Sequence, residues 1–571
     1  MKRAFFILLT LGGIVMISLF AVRYQSYLKR LLKAPKKNTI EINTSETPLA
    51  LFSFHPNAQT KMVDSCFHFT IQLHNTKKSD IKKSEIEHIA EHLPILFTIE
   101  TWKTSGISSY ENNVLTEIAA GKYDKVLEEL CTGFIGNRPN VYFRLNPDME
   151  VPVNRYPWQQ IGGQAYITAF RYFALLCRNH APQVKLMWGP AGYPGTMEFY
   201  PGDDVVDAAS VTIKSDSEIP LDVYPSDYPV NYDVFRRVHR LRFTGKPVFL
   251  LGSKQIDNEA VDDQLLSALA QKINDEREII YSSDNFKHLE YSKKNVKREK
   301  IEIGIFDEFE RLNGEEPVTV EHLFADFRKL GDGTFQNEFA RVLGRDNDVI
   351  VTFEPFFGPN AENDLEVLQN ISDGKYDAEI NRFYSIILST DKNIYLRFAH
   401  EMEIPITRYP WQSQDPLTYI KSYRYFMTYT DALPANIKRV WGPAGDRGSL
   451  EWYPGNDVVD FISIAIYGLP DKNITDPEKQ ESFEKIFNRK YWRIRFINKP
   501  LFITEFGVKG PEDYQTRWLE DAAKVIRENP QIKGVNYFNM SDTPKAWGEI
   551  KPPDWSITKN TFYRFLEVLN N

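Results

Sequence analysis

Short apolar runs recur through the second half of the chain, each separated from the next by a longer stretch with helical periodicity. The runs at Ile301–Phe306, Val349–Phe353, Ile394–Phe398, Arg439–Trp441, Phe461–Tyr467, Leu501–Thr504 and Gly534–Phe538 predict strands. Between them, segments such as Leu417–Thr430 and Tyr514–Glu528 place apolar residues at helical spacing. Strands alternating with amphipathic helices are the pattern of parallel βα units. The fold class expected is α/β, a (β/α)₈ barrel. Seven strands can be read, and the eighth, required between Phe306 and Val349, is marked by no apolar run.

The first half repeats the second. Tyr142–Trp158 matches Tyr395–Trp411 at an offset of 253 residues. The same offset joins Trp188–Gly192 to Trp441–Gly445 and Tyr200–Asp207 to Tyr453–Asp460. Three matches in one register predict a tandem duplication, hence two barrels. The 571 residues leave room for both. The expected division is a first barrel at 48–291, a charged linker at 292–300 and a second barrel at 301–571.

The N-terminus reads differently. After Lys2 and Arg3, nineteen residues from Ala4 to Val22 carry no charge, long enough to cross a bilayer core as a helix. No clear cleavage site follows, so residues 1–23 are expected to be a membrane anchor in preference to a removed signal segment. Residues 24–47 form a Lys-rich tether. Counting the basic residues beyond the span would keep the chain in the cytoplasm, yet long domains cross largely regardless of charge. The chemistry below favours an extracytoplasmic domain.

Composition narrows the partners. A net charge of −8 argues against nucleic acid. Three cysteines, Cys66, Cys131 and Cys177, form neither a disulfide framework nor a metal-ligand spacing. No cofactor or metal is expected, because no His/Cys cluster with ligand spacing occurs.

Candidate chemistry gathers where predicted strands end. The run Asn393–Arg397 leads into His400 and Glu401, with Tyr409 and Trp411 close behind. The run Leu501–Thr504 ends in Glu505. Two carboxylates at strand ends beside aromatic rings are what glycoside cleavage needs. The motifs Arg397-Phe-Ala-His-Glu-Met402, Tyr409-Pro-Trp411 and Thr504-Glu-Phe-Gly507, in this order and at this separation, resemble glycoside hydrolase family 26. That family contains β-mannanases, mixed-linkage β-glucanases and some xylanases, with a retaining mechanism on a (β/α)₈ barrel. The resemblance implies Glu505 as nucleophile, Glu401 as acid/base, and Tyr467 as a hydrogen-bond donor to the nucleophile. Arg397, His400, Tyr409, Trp411, Trp441 and Trp547 are expected to bind substrate, with a β-linked polysaccharide as partner. Arg397 with Glu401 could equally be a structural ion pair, and Trp411 and Trp441 could be core. Glu354, which has a partner in Glu100, could support the fold or bind substrate.

One departure stands beside the acid. The family usually carries Asn after His-Glu-Met; here the residue is Glu403, so the cleft is expected to differ there. In the first copy Asp148 stands for Glu401, Pro147 for His400, Lys214 for Tyr467 and Gly252 for Glu505. Without a nucleophile no covalent intermediate forms, and this copy reads as a pseudo-enzyme. It keeps Arg144, Tyr156, Trp158 and Trp188, a set expected to hold glycan without cutting it. The alternative for the whole chain is a non-catalytic polysaccharide-binding or scaffolding component of exopolysaccharide export.

Overall fold

A computed structural model describes residues 40–52, 61–73, 92–102, 113–133, 140–152, 156–159, 161–212 and 230–251, with a few single residues between them. It also describes 300–571 with short gaps at 360, 406–407, 431, 470–479 and 543–550. The expected anchor at 1–23, the tether up to residue 39 and most of the linker lie outside the described residues. Among the described residues no helix is long and apolar enough to cross a membrane.

In the first half the strands are β1 Ile40–Phe52, β2 Lys61–Leu73, β3 Ile95–Thr101, β4 Val141–Leu145, β5 Lys185–Trp188, β6 Ala208–Thr212 and β7 Val248–Leu251. In the second they are β8 Glu302–Phe306, β9 Val320–Asp326, β10 Asp348–Glu354, β11 Ile394–Phe398 and β12 Ile437–Trp441. There follow β13 Phe461–Ile462, β14 Ile466–Tyr467, β15 Leu501–Gly507 and β16 Ile532–Phe538.

The second half is the expected parallel barrel. Its strands run in chain order from β8, β16 pairs back onto β8, and β13 and β14 both pair with β15. The predicted single strand Phe461–Tyr467 is therefore two pieces of one barrel position. Between them Ser463 bonds Thr504, with the two hydroxyls 2.6 Å apart. The strand that no apolar run revealed is β9. Its polar residues are paired on both faces. Glu321 accepts both forks of Arg345 at 2.7 Å, and His322 meets the Thr352 hydroxyl at 2.8 Å. Burying such groups is tolerable because each is satisfied, and a hydrophobicity pattern cannot show it. The bottom of the barrel is filled by Val320, Ile350, Tyr395, Val440 and Phe502.

The first half departs from the expectation of a second eight-stranded barrel. Its described strands close as seven, and β1 runs antiparallel to both β2 and β7. Strands β2 to β7 are parallel to one another and correspond to β9 through β15. One long antiparallel strand thus fills the gap that β8 and β16 fill in the second half. His68 on Thr98, at 2.7 Å, repeats His322 on Thr352. Cys66, Cys131 and Cys177 are buried and none is in a disulfide.

The two halves pack through equivalent patches. Arg240 Nε meets Glu451 at 2.7 Å, and Arg493 Nε meets Glu198 at 3.5 Å; both pairs are related by the 253-residue offset. Arg242 donates to the carbonyl of Leu450 at 3.2 Å, and its counterpart Arg495 donates to that of Met197 at 3.1 Å. Phe243 faces Tyr453 as Phe496 faces Tyr200. Such reciprocity is the signature of an isologous, two-fold contact, here formed within one chain.

Candidate active site

Arg397 lies on β11 with its guanidinium inside the barrel, only 1% exposed. It donates Nε to Thr352 and Nη1 to Thr504, both at 2.8 Å, and Nη2 to Glu505 Oε1. Its stem passes where a side chain on Gly442 would sit: a Cβ there would come within 2.5 Å of Arg397 Cδ. Tyr467, at the end of β14, donates its hydroxyl to Glu505 Oε2 at 2.8 Å. Each oxygen of the Glu505 carboxylate therefore has its own donor. Two donors from opposite sides fix the carboxylate in one orientation.

Glu401 sits in the loop after β11 in a left-handed backbone, with φ 54°, and Ala399 just before it has φ 44°. Non-glycine residues adopt this region at a cost that the surroundings must offset. One constraint is the Glu401 amide, which donates to the Gly442 carbonyl at 2.8 Å. Burial, then the negative charge of Glu505, push the Glu401 carboxyl up to about 7. A third carboxyl, Glu354 at the end of β10, is pushed up to about 8 by burial and by Asp326. The site thus sets a carboxylate oriented by two donors beside a carboxyl that keeps its proton near neutrality.

The expected sugar-binding residues divide. His400 is buried, with Nδ1 4.0 Å from Glu354. Burial, then Arg397, hold it well below the usual histidine range, so it is a neutral ring. Trp411 and Trp441 correct the expectation: both are fully buried and offer no face to a ligand. Trp411 donates its indole N–H to the His400 carbonyl at 2.8 Å and stacks on Tyr409, with ring centroids 4.4 Å apart. It is a buttress of the loop rather than a platform. Tyr409 is half-buried beneath the Arg408 guanidinium, 4.9 Å from its ring centre. Trp547 lies outside the described residues.

Glu403 also reads differently in three dimensions. Its carboxylate accepts the amides of Ala444, Gly445 and Asp446 and the Ser449 hydroxyl, at 2.8–3.2 Å. It ties down the next loop instead of reshaping the cleft. The sequence reading missed Thr352 and Thr504, ordinary mid-strand threonines until Arg397 is seen between them. It also missed the partly exposed rings Phe306, Phe324 and Phe538 at the strand ends. Arg408 and Asp542, from loops on opposite sides of the barrel, approach to 3.8 Å. Arg408 adjoins the Tyr409-Pro-Trp411 motif, a signal that was available.

No protein-family model matches the chain. By sequence it is similar to Endoglucanase H of Acetivibrio thermocellus, 26% identical over 265 residues, covering 44% of this chain and 27% of that protein. It is also similar to β-1,3-xylanase TXYA of a Vibrio species, 29% identical over 195 residues, covering 32% of this chain and 36% of that one. The chain therefore matches only a minor part of the length of these relatives. Among solved structures, GH26C from a Muricauda species aligns at a TM-score of 0.36 and 13% identity, over 48% of this chain and 86% of that chain. A GH26 β-mannanase from Bacteroides ovatus aligns at a TM-score of 0.34 and 14% identity, over 47% and 87%.

In the first half the same framework holds different contents. Arg144, 3% exposed, donates to Thr98 at 2.9 Å, to Ser210 at 3.2 Å and to Thr212 at 2.9 Å. Asn146 and Asp148 keep positive φ of 44° and 58°, and the Asp148 amide reaches the Gly189 carbonyl at 2.9 Å. Trp158 and Trp188 are buried, so their retention needs no ligand. Tyr156 is half-buried and stacks on Trp158, with centroids 4.7 Å apart. Gly252 and Lys214 lie outside the described residues.

Proposed function

We propose that the second barrel is a retaining endo-β-glycanase of the family 26 type. The observation that carries this is Glu505 held from both sides by Arg397 and Tyr467 while Glu401 keeps a proton near neutral pH. Glu505 attacks the anomeric carbon. Glu401 gives its proton to the departing glycosidic oxygen, and a glycosyl ester on Glu505 results. Glu401, now a base, takes a proton from water, whose oxygen displaces Glu505 and restores both carboxyl groups. Arg397 and Tyr467 fix the carboxylate for in-line attack. Phe306, Phe324, Phe538 and Tyr409 offer ring surface for the sugar at the strand ends.

A β-mannan or a β-1,3-1,4-glucan is the expected class of polymer, and an N-terminal anchor would hold the enzyme outside the cytoplasm where such chains lie. A panel of soluble β-mannans, mixed-linkage β-glucans and xylans, scored for new reducing ends, tests the activity. NMR of the earliest products should show the β-anomer first. Release of α-product, or no cleavage of any polymer by the intact chain, would refute the reading. The second outcome, combined with retention in a polymer-containing gel, would support a binding or scaffolding role.

A further inference from the structure

In the second half, the contact between the halves falls partly on residues 492–496 and partly on segment 442–453, the loop after β12. The start of this loop touches the site. Gly442 accepts the Glu401 amide at 2.8 Å. Its middle supplies the three amides and the Ser449 hydroxyl that bind Glu403, two residues past Glu401. Its far end is gripped by the other half. Arg242 donates to the carbonyls of Leu450, Glu451 and Tyr453 at 3.2–3.3 Å. Arg236 and Arg240 clamp the Glu451 carboxylate at 2.8 and 2.7 Å. Arg447 reaches back to the Glu150 carbonyl. Hydrogen bonds joined by short backbone segments therefore connect the first-half arginines to the backbone of the acid.

We propose that the first half is a positioning partner for the second: its patch of Arg236, Arg240 and Arg242 fixes segment 442–453 and, through Gly442 and Glu403, sets where Glu401 stands. This rests on the reading of Glu401 as the acid. The need is physical. Glu401 holds a strained left-handed backbone, which persists only where its surroundings over-determine it. The supporting turn, Ser449–Trp452, is a single short 3₁₀ element and is not self-sufficient. The three arginines are positioning residues, because their hydrogen bonds and ion pairs across the contact go to Glu451 and to backbone carbonyls of segment 450–453 and not to Glu401 or Glu505. The role does not depend on any chemistry in the first half, which explains why that half can lose its nucleophile and keep its place.

The test uses the full chain carrying Arg242→Ala and, separately, Arg242→Lys. Two readouts are followed: kcat and KM on the cleaved polymer, and the ¹³C-NMR titration of the Glu401 carboxyl, assigned with Glu401→Gln. The groups facing Glu401 are Glu505, Arg397, Arg408, Lys490, Tyr409 and Tyr467. Displacement of Glu401 among them should bring its titration down toward the ordinary carboxyl range. Arg242→Ala should lower kcat about tenfold or more with KM within about two-fold, since small misplacements of a catalytic group are costly. Arg242→Lys should recover part of both effects. If Arg242→Ala does not fold, Glu451→Gln, which keeps side-chain volume and loses both ion pairs, serves the same purpose. An unchanged Glu401 titration and kcat, with only a lower unfolding temperature, would overturn the proposal and leave a structural contact. A wild-type chain that cleaves nothing would defeat the functional reading, and the titration would still judge the positioning.

Discussion

Arg144 and Arg397 occupy the same place in the two halves, and their company differs. Both are buried, both bond a strand threonine through Nε, and both pass beside a glycine that leaves room for the stem. Arg397 then reaches a carboxylate, whereas Arg144 ends on the hydroxyls of Ser210 and Thr212. The left-handed turns at Asp148 and Glu401, and the indole bonds of Trp158 and Trp411 to the preceding carbonyls, are likewise the same. The same buried arginine, left-handed turn and indole bond can thus be kept around different neighbours. Retained motif residues such as Arg144, Trp158 and Trp188 meet the fold's needs; under the proposed mechanism the chemistry lies in Glu401, Glu505 and Tyr467, where the first copy has Asp148, Gly252 and Lys214.

The largest effects should come from breaking that distinction directly. Glu505→Gln is expected to lower polymer hydrolysis by about four orders of magnitude or more. The protein should still fold, since Arg144 is accommodated with its hydrogen bonds on three hydroxyls and carboxylates only nearby; circular dichroism and a thermal melt check this. Glu401→Gln should cost about 10²–10⁴-fold on polymers and less on aryl glycosides with good leaving groups, which need little protonation.

Next is the asymmetry of the contact between halves. Glu451 is held by two arginines, and although burial alone would raise it, they bring it down to about 2. Glu198 meets Arg493 at the longer distance of 3.5 Å and is more exposed. Glu451→Gln leaves buried arginines short of a counter-charge and should cost about 3–5 kcal/mol in urea unfolding. Glu198→Gln should cost under about 1 kcal/mol. Because the folded value of Glu451 lies below the ordinary carboxyl value, its contribution is complete above about pH 4.5 and disappears as pH falls through about 2. Acid unfolding should therefore be less steep in Glu451→Gln.

A smaller effect is expected from pH alone. Glu401 must carry its proton to act as acid, so kcat/KM should fall about tenfold per pH unit above about 7. Its raised value also means that whatever stability the neutral form contributes is present below the ordinary carboxyl value and is lost as pH rises through about 7. Smallest of all, Asp148→Asn should leave polymer hydrolysis within about two-fold. A larger loss there would mean that the first half shares in the reaction.

The alternating pattern, the 253-residue repeat and the two strand-ending glutamates were legible in the sequence, because each is a local or periodic signal. The strands bearing Arg397 and Glu505 stand where the apolar runs placed them, and Tyr467 reaches Glu505 as the resemblance implied. Strand β9 was not legible, since its buried Glu321 and His322 look like surface residues until Arg345 and Thr352 are brought to them. Trp411 and Trp441 carried no mark of which side of the barrel wall they face, and side-chain direction decided that they are core. Glu403 seemed part of the cleft by its position and proved to be an anchor for the next loop. Sequence determined which residues could meet; the antiparallel β1 and the two-fold docking of the halves depend on pairings between distant segments, and only the tertiary structure decided those.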